Sequence, residues 1–372
     1  MDWSRISNIL RRMDWSMIFA MAMLLIAGIF FIYSAVNRND DLPVAPFYEK
    51  QMVWALVGLA FFLLLVLIDY HRFRDAAWGL YVVGMILLIL VLIPGVGKKV
   101  YGAYRWLNLF GVQVQPSEFG KLATVIVVAR FLGRPGRDVR TWKCLFQVLM
   151  IVAVPFLLIF KEPDLGTAMM LLPVSFFMMF VAGVPVKYLG TLVGIGLLLM
   201  PFGWFGLDDY QKERILVFFD AGRDPLGAGW NKIQSEIAVG SGGFSGKGYL
   251  NGTQNVLGFL PRTVAPTDFI YSVIAEEMGF LGSLGLLALY SLVLAAGTRA
   301  ALEARDKMGR MLAVGVTSLL FCHVFVNIAM TIGLLPITGL PLPLISYGGS
   351  FMVSTMIGLG IVQSVYVRRY QQ

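Results

Sequence analysis

Charge is what this chain has least of. Only 14% of its 372 residues are Asp, Glu, Lys or Arg, against 58% hydrophobic, and mean hydropathy is +0.75. A soluble domain carries about a quarter charged residues, so that class is excluded. Cysteine is nearly absent. Cys144 and Cys322 both lie in or beside apolar stretches, which excludes a disulfide framework and argues against thiolate metal ligation. Histidine is as scarce: His71, between Asp69 and Arg72, reads as a solvated connection residue. His323 stands alone in an apolar run and reads as a packing or helix–helix hydrogen-bonding residue rather than a metal ligand. Period-two alternation is missing too, and the apolar runs are about 20 residues long, so the membrane elements are helices and not barrel strands. The expected fold is all-α, a polytopic membrane protein forming one domain over residues 1–372.

Ten spans are legible, at 16–36, 51–68, 76–94, 117–133, 144–160, 165–184, 186–205, 268–297, 311–334 and 349–366. One set of connections is short and basic: Arg11 and Arg12, Arg72 and Arg74, Arg134 to Lys143, Lys187, Arg299 to Arg310, and Arg368 with Arg369. The positive-inside rule makes that face cytoplasmic and puts both termini there. It also accounts for the net charge of +8 without a nucleic-acid partner. Arg11-Arg12 leads into a full-length span with no small-residue cleavage site, so no cleavable signal is expected. Residues 4–13 carry Ile6, Leu10 and Met13 on one side and could lie along the membrane.

The outer connections hold the information. Residues 94–116 include Lys98, Lys99 and Arg105, basic on the side that should be poor in base. Residues 206–266 form a large extracytoplasmic loop between spans 7 and 8, far beyond an ordinary connection. Within it, 231–239 has helical spacing and is expected as a short helix on the membrane surface. Gly240 to Gly248 follows, either a flexible loop or a backbone nest for an anion. No strand precedes it and the pattern is not a Walker P-loop.

Charged residues in or at spans are costly and point to function or pairing. Asp268 follows Thr267 at an expected helix start: either Thr267 caps and Asp268 serves the dipole, or Asp268 is a general base at the outer surface. Glu276 and Glu277 lie about 12–14 Å further along such a helix, too far to pair with Asp268 as glycosidase carboxylates do; structural pairing is the reading for both, one of them facing a polar cavity or a cation from another helix. Glu118 and Lys121 share a helical face, as an internal salt bridge or as a cavity lining with a cation for a lipid headgroup. Asp164, in Lys161-Glu162-Pro163-Asp164-Leu165-Gly166-Thr167, reads as a capping residue first and a cavity ligand second.

Several long motifs in order carry a resemblance. Asp209-Tyr210-Gln211-Lys212-Glu213-Arg214, Asp224-Pro225-Leu226-Gly227-Ala228-Gly229, Gln234 to Gly248, Thr267-Asp268-Phe269 and Leu340 to Ser350, with Trp106 and Gln115-Pro116-Ser117-Glu118, resemble the SEDS family (shape, elongation, division and sporulation) over nearly the whole chain. The run Ile237 to Gly243 is similar to its elongation members rather than its division members. The resemblance implies ten helices in the bacterial inner membrane, multi-pass, with an extracytoplasmic catalytic side. It implies a peptidoglycan glycosyltransferase that polymerises lipid II during cell-wall elongation and releases undecaprenyl pyrophosphate. A class B penicillin-binding transpeptidase, elongation-complex proteins and membrane lipid are the implied partners. The family's essential acidic residue falls on Asp268, and its cavity pair on Glu118 and Lys121. Lys121, Arg105 and Arg214 are the expected pyrophosphate contacts, and Trp106, Lys247, Asp164 and Ser346 are further substrate-contact candidates. A divalent cation (Mg or Mn) is a candidate aid to the leaving group; no organic cofactor is expected. Arg262 to Pro266 departs from the family, which usually carries an acidic residue and a His just before Thr-Asp-Phe. A lipid II flippase or a non-enzymatic scaffold are the rival classes.

Overall fold

The computed structural model describes residues 9–37, 46–100, 103–109, 111–224 and 226–370. Part of the 4–13 stretch lies outside them.

Each expected span is a helix: α1 Trp15–Val36, α2 Phe47–Leu67, α3 His71–Leu92, α4 Pro116–Leu132, α5 Trp142–Lys161, α6 Leu165–Ala182 and α7 Val186–Gly203. Across the large loop follow α8 Asp209–Phe219, α9 Ala228–Ser241 and α10 Thr253–Val256, then the last three spans α11 Ile270–Leu302, α12 Lys307–Thr331 and α13 Gly349–Val367. Nine helices among the described residues are long and apolar enough to cross a membrane. The tenth, α4, has 17 residues and sits at the centre against α3, α5, α6, α12 and α13. Its burial runs almost unbroken from Pro116 to Ala129, so it carries Glu118 and Lys121 on a helix with no broad lipid-facing side. At the other extreme, only Leu189 of α7 is buried, and that helix presents Leu197, Leu198, Met200 and Phe202 outward.

The connection at 94–116 holds a three-stranded antiparallel sheet that the periodicity did not announce: β1 Gly97–Val100, β2 Ala103–Leu109 and β3 Val112–Val114. Strands of four, seven and three residues are too short to show a clear period. Lys98 pairs with Trp106, and Leu107 with Val114, so the sheet presents Arg105 and Trp106 just before α4 begins.

The large loop is folded onto the bundle. The helix expected over 231–239 extends to Ala228–Ser241 and docks one side on the bundle, while Ile233 and Ile237 stay exposed on the other. Gln234, Ser235 and Ala238 are buried, and Ser235 Oγ lies 2.6 Å from Ser272 Oγ and donates to the Thr331 carbonyl at 2.7 Å.

Helix α11 breaks at Gly279, where φ is 64° and ψ −159°. Residues 242–248 fill the break. The Lys247 and Gly248 amides donate to the carbonyls of Glu276 and Glu277 at 3.0 and 2.9 Å, and the Phe280 and Leu281 amides donate to Gly243 and Phe244. These bonds replace the ladder that the break interrupts, as buried backbone requires. The glycine stretch is therefore docked and not a free loop, and its Gly246, Lys247 and Gly248 amides are engaged by carbonyls and not open to an anion. Gly246 has φ +78°, and a Cβ there would run into the Glu277 carbonyl. Gly246→Ala is expected to destabilise the protein by about 1–3 kcal/mol through overpacking, seen as a lower thermal midpoint in detergent.

Candidate functional site

The sequence Pro261 to Phe269 does not extend α11, which starts at Ile270. Prolines 261 and 266 bound a set of turns, and Thr267 Oγ1 donates to the carbonyls of Thr263 and Val264 instead of capping a helix. Asp268 thus leaves the helix start expected for it and sits on a turn. That turn is clamped from three directions. Asn327 Nδ2 of α12 donates to the Asp268 carbonyl at 2.9 Å and to the Leu340 carbonyl at 2.7 Å. Ser346 Oγ donates to the Thr267 carbonyl and accepts from the Leu342 amide. The Tyr347 amide donates to the Pro266 carbonyl at 2.9 Å. Ser346 is committed to backbone and holds the turn, whereas the sequence suggested a substrate contact.

The carboxylate faces Gly339. A Cβ on that glycine would lie 3.4 Å from Asp268 Oδ2 and 3.5 Å from Arg214 Nη1, so the glycine keeps open the space both side chains border. Arg214 is held by the Ile337 carbonyl at 3.1 Å and by stacking over the Tyr210 ring, 4.5 Å away. Asp268 is ringed by protein but keeps partial solvent access. Burial pushes its pKa up to about 6; Arg214 is the next cause and pulls it down, Asp164 pushes it up, and Thr267 and Arg105 pull it down.

Arg105, from the small sheet, donates to the carbonyls of Glu162 and Pro163, the first at 3.2 Å. It anchors the turn that leads into α6. Asp164 accepts from the Thr167 amide at 3.2 Å, which is the capping role, while its charge still acts on Asp268. Arg105, Arg214, Asp164 and Asp268 therefore share one electrostatic neighbourhood. Trp106 is half-buried on β2.

Two expected contacts lie elsewhere. Lys121 is 1% exposed, with Nζ 3.0 Å from Glu118 Oε1 and 2.9 Å from His323 Nε2. Ser354 Oγ donates to Glu118 Oε2 at 3.3 Å. The adjoining cavity is about 30 Å³, room for a water or two but not for a pyrophosphate. The pair is an internal link between α4, α12 and α13, the structural reading of the two. Lys247 Nζ sits 2.6 Å from Glu276 Oε1 and also meets Thr253, so its charge is neutralised beside the α11 break. Glu276 and Glu277 are both fully buried, the second accepting from Ser34, which is the structural pairing expected of them.

Asn327 and Glu162 escaped the sequence reading. Asn327 is a lone amide in the apolar run of α12, and an intramembrane polar residue is itself the signal. Glu162 is fully buried with no hydrogen-bond partner for its carboxyl among the described residues, and burial, then the charge of Asp164, pushes its pKa up to about 9. It is neutral at pH 7, so it adds no charge beside Arg105.

A family model described as a cell cycle protein, FtsW/RodA/SpoVE, matches residues 14–371. A peptidoglycan glycosyltransferase MrdB of Escherichia coli (strain K12) is 39% identical over 360 residues, covering 96% of this chain and 94% of its own. A probable peptidoglycan glycosyltransferase FtsW of Trichlorobacter lovleyi is 38% identical, with 91% and 89% covered. Among solved structures, a chain of a peptidoglycan synthase complex superposes with TM-score 0.81 at 33% identity, covering 97% of this chain and 99% of that one. The rod shape determining protein RodA of Thermus thermophilus superposes at 0.72 and 30% identity, with 97% and 98% covered. With nearly every residue of the bundle matched, this chain belongs to the FtsW/RodA/SpoVE cell cycle family.

Proposed function

We propose that this chain is a peptidoglycan glycosyltransferase that polymerises lipid II into glycan strands during cell-wall elongation. The observation that carries the reading is the Asp268 carboxylate, fixed through its backbone by Asn327 and flanked by Arg214 across the space at Gly339.

In the reaction, a sugar 4-hydroxyl of one lipid-linked disaccharide attacks the anomeric carbon of another. Asp268 takes the hydroxyl proton while the new C–O bond forms. The bond from the anomeric carbon to the pyrophosphate breaks, and its electron pair leaves with undecaprenyl pyrophosphate. An anionic leaving group needs no proton, so one carboxylate base suffices, with Arg214 and Arg105 supplying positive potential. A divalent cation on the departing pyrophosphate would add to that potential; the steps assigned here are those of this chain's own side chains.

Ten crossings with basic connections on one face support the reading that both termini are cytoplasmic and that Asp268 works at the outer surface of the inner membrane. A class B penicillin-binding transpeptidase fits as the partner, in keeping with the synthase complex that this chain resembles. Detergent-purified protein with its transpeptidase and lipid II is expected to yield glycan polymer on a denaturing gel; no polymer would leave the scaffold class in its place.

The base works only when ionised. Below about pH 6 Asp268 is protonated and cannot accept the hydroxyl proton, so the polymerisation rate is expected to rise about tenfold per pH unit up to that point and level off above it. A rate flat from pH 5 to 8 would remove Asp268 from the role.

A further inference from the structure

Residues 133–141, joining α4 to α5, border a cavity of about 460 Å³ lined by Arg134, Arg137, Asp138, Thr141, Lys143 and Gln147 among others. That size falls in the range of small-ligand sites. Arg140 belongs to the same connection, which thus carries four cations against one carboxylate. Positive-inside bias alone explains basic residues on this face, and some of them meet carboxylates, Arg299 with Asp14 at 2.8 Å and Arg369 with Glu303 at 2.9 Å; what sets this connection apart is that its cations gather at one concavity. Among the described residues none of these four forms an ion pair. Arg137 is instead held by neutral groups, its guanidinium 3.8 Å from the Phe131 ring centre and donating to Gln147 Oε1 at 3.1 Å. The N-terminus of α5 borders the same space, Thr141 capping only the Cys144 amide, so its dipole adds to the positive potential.

The surface next to the cavity is apolar. Trp142, Phe146 and Met150, four residues apart on α5, are 51%, 63% and 52% exposed. Trp142 packs on Tyr188 with ring centres 4.0 Å apart, and Lys187 lies over that tyrosine. Trp and Tyr in this setting mark the interfacial level of a bilayer. A cationic cavity therefore sits at headgroup depth, with an aliphatic and aromatic stripe running from it toward the hydrocarbon.

We propose that this cavity binds the phosphate headgroup of an anionic phospholipid, with an acyl chain along Trp142, Phe146 and Met150. A phosphodiester carries the one negative charge and the acceptor oxygens that unpaired arginines and a helix N-terminus favour. The stripe distinguishes a lipid from a free anion.

The test uses the full chain in detergent with phosphatidylglycerol, phosphatidylcholine or inorganic phosphate added. The readouts are bound lipid by native mass spectrometry and the thermal midpoint. Phosphatidylglycerol is expected to be retained and to raise the midpoint, with phosphatidylcholine doing neither. Arg134→Gln with Lys143→Gln should weaken phosphatidylglycerol retention about thirtyfold, each cation near an anionic lipid being worth roughly fivefold. Both residues are exposed, so the variant's midpoint in phosphatidylcholine should match the native protein. A control, Arg72→Gln with Arg74→Gln, should keep full retention. Equal retention by the first variant, or by phosphatidylcholine, overturns the proposal and leaves a water-soluble acidic partner as the occupant. A phosphate-induced shift as large as that of the lipid overturns it in favour of a free anion.

Discussion

Asp268→Asn is expected to lower glycan polymerisation by about 10²–10⁴-fold, the usual worth of a positioned general base, with the fold intact. The amide is near-isosteric, and the clamp on this turn acts on backbone atoms: Asn327 holds the Asp268 carbonyl, Ser346 the Thr267 carbonyl, and the Tyr347 amide the Pro266 carbonyl. None of these bonds involves the substituted side chain. Stability follows with a definite sign. Asp268 holds its proton up to about pH 6 in the folded protein and to about pH 4 in the unfolded chain, so its ionisation disfavours the folded state as pH rises between those values. The variant's thermal midpoint at pH 7 should therefore equal or exceed that of the native protein. Lost polymer with an undiminished midpoint isolates the chemistry from folding. A flippase needs no base, so lipid II transport surviving in the variant, together with full polymerisation, would remove Asp268 from any chemical role.

The bundle was legible because a membrane helix must be apolar along about 20 residues, and that demand leaves a pattern no single contact can hide. All ten expected spans fall on helices, with ends within a few residues. The small sheet was not legible, since β1 to β3 are too short for a period and their alternation is lost among aromatic residues. The glycine stretch at 240–248 was misread for a different reason. Its glycines answer to Gly279, thirty residues on, where α11 breaks and backbone must approach backbone; no local window contains that partner. At the site, the residue types were readable and their engagements were not. Asp268, Arg214, Asp164 and Arg105 do share one neighbourhood. Ser346 and Lys247 were candidates on residue type, but tertiary contacts commit them to a backbone carbonyl and to Glu276, while Lys121 takes the local pair with Glu118 that the i,i+3 spacing offered, closed by His323 of α12.

Lys121 separates a structural charge from a substrate contact. Lys121→Met should lower stability by about 3–5 kcal/mol, because it leaves Glu118, 4% exposed, without its cation inside the bundle. The remaining bond from Ser354 to Glu118 Oε2 is neutral and long at 3.3 Å, so it cannot replace an ammonium. Adding Glu118→Gln to Lys121→Met removes the orphaned charge while keeping nearly the same shape. The double variant should recover most of the loss, since neutralising both members of a buried pair is often close to neutral. His323 supports the same account: Lys121 can donate to Nε2 only if that nitrogen is bare, so the imidazole is neutral and offers Glu118 no substitute cation. Thermal midpoints of the four proteins in detergent give the coupling directly. If Lys121 instead meets the pyrophosphate during turnover, Lys121→Met would keep its midpoint and lose polymerisation, and the double variant would not restore activity. A stable, inactive single variant would thus move Lys121 from the helix junction to the substrate path, which would require the bundle to open between α4, α12 and α13 in the catalytic cycle.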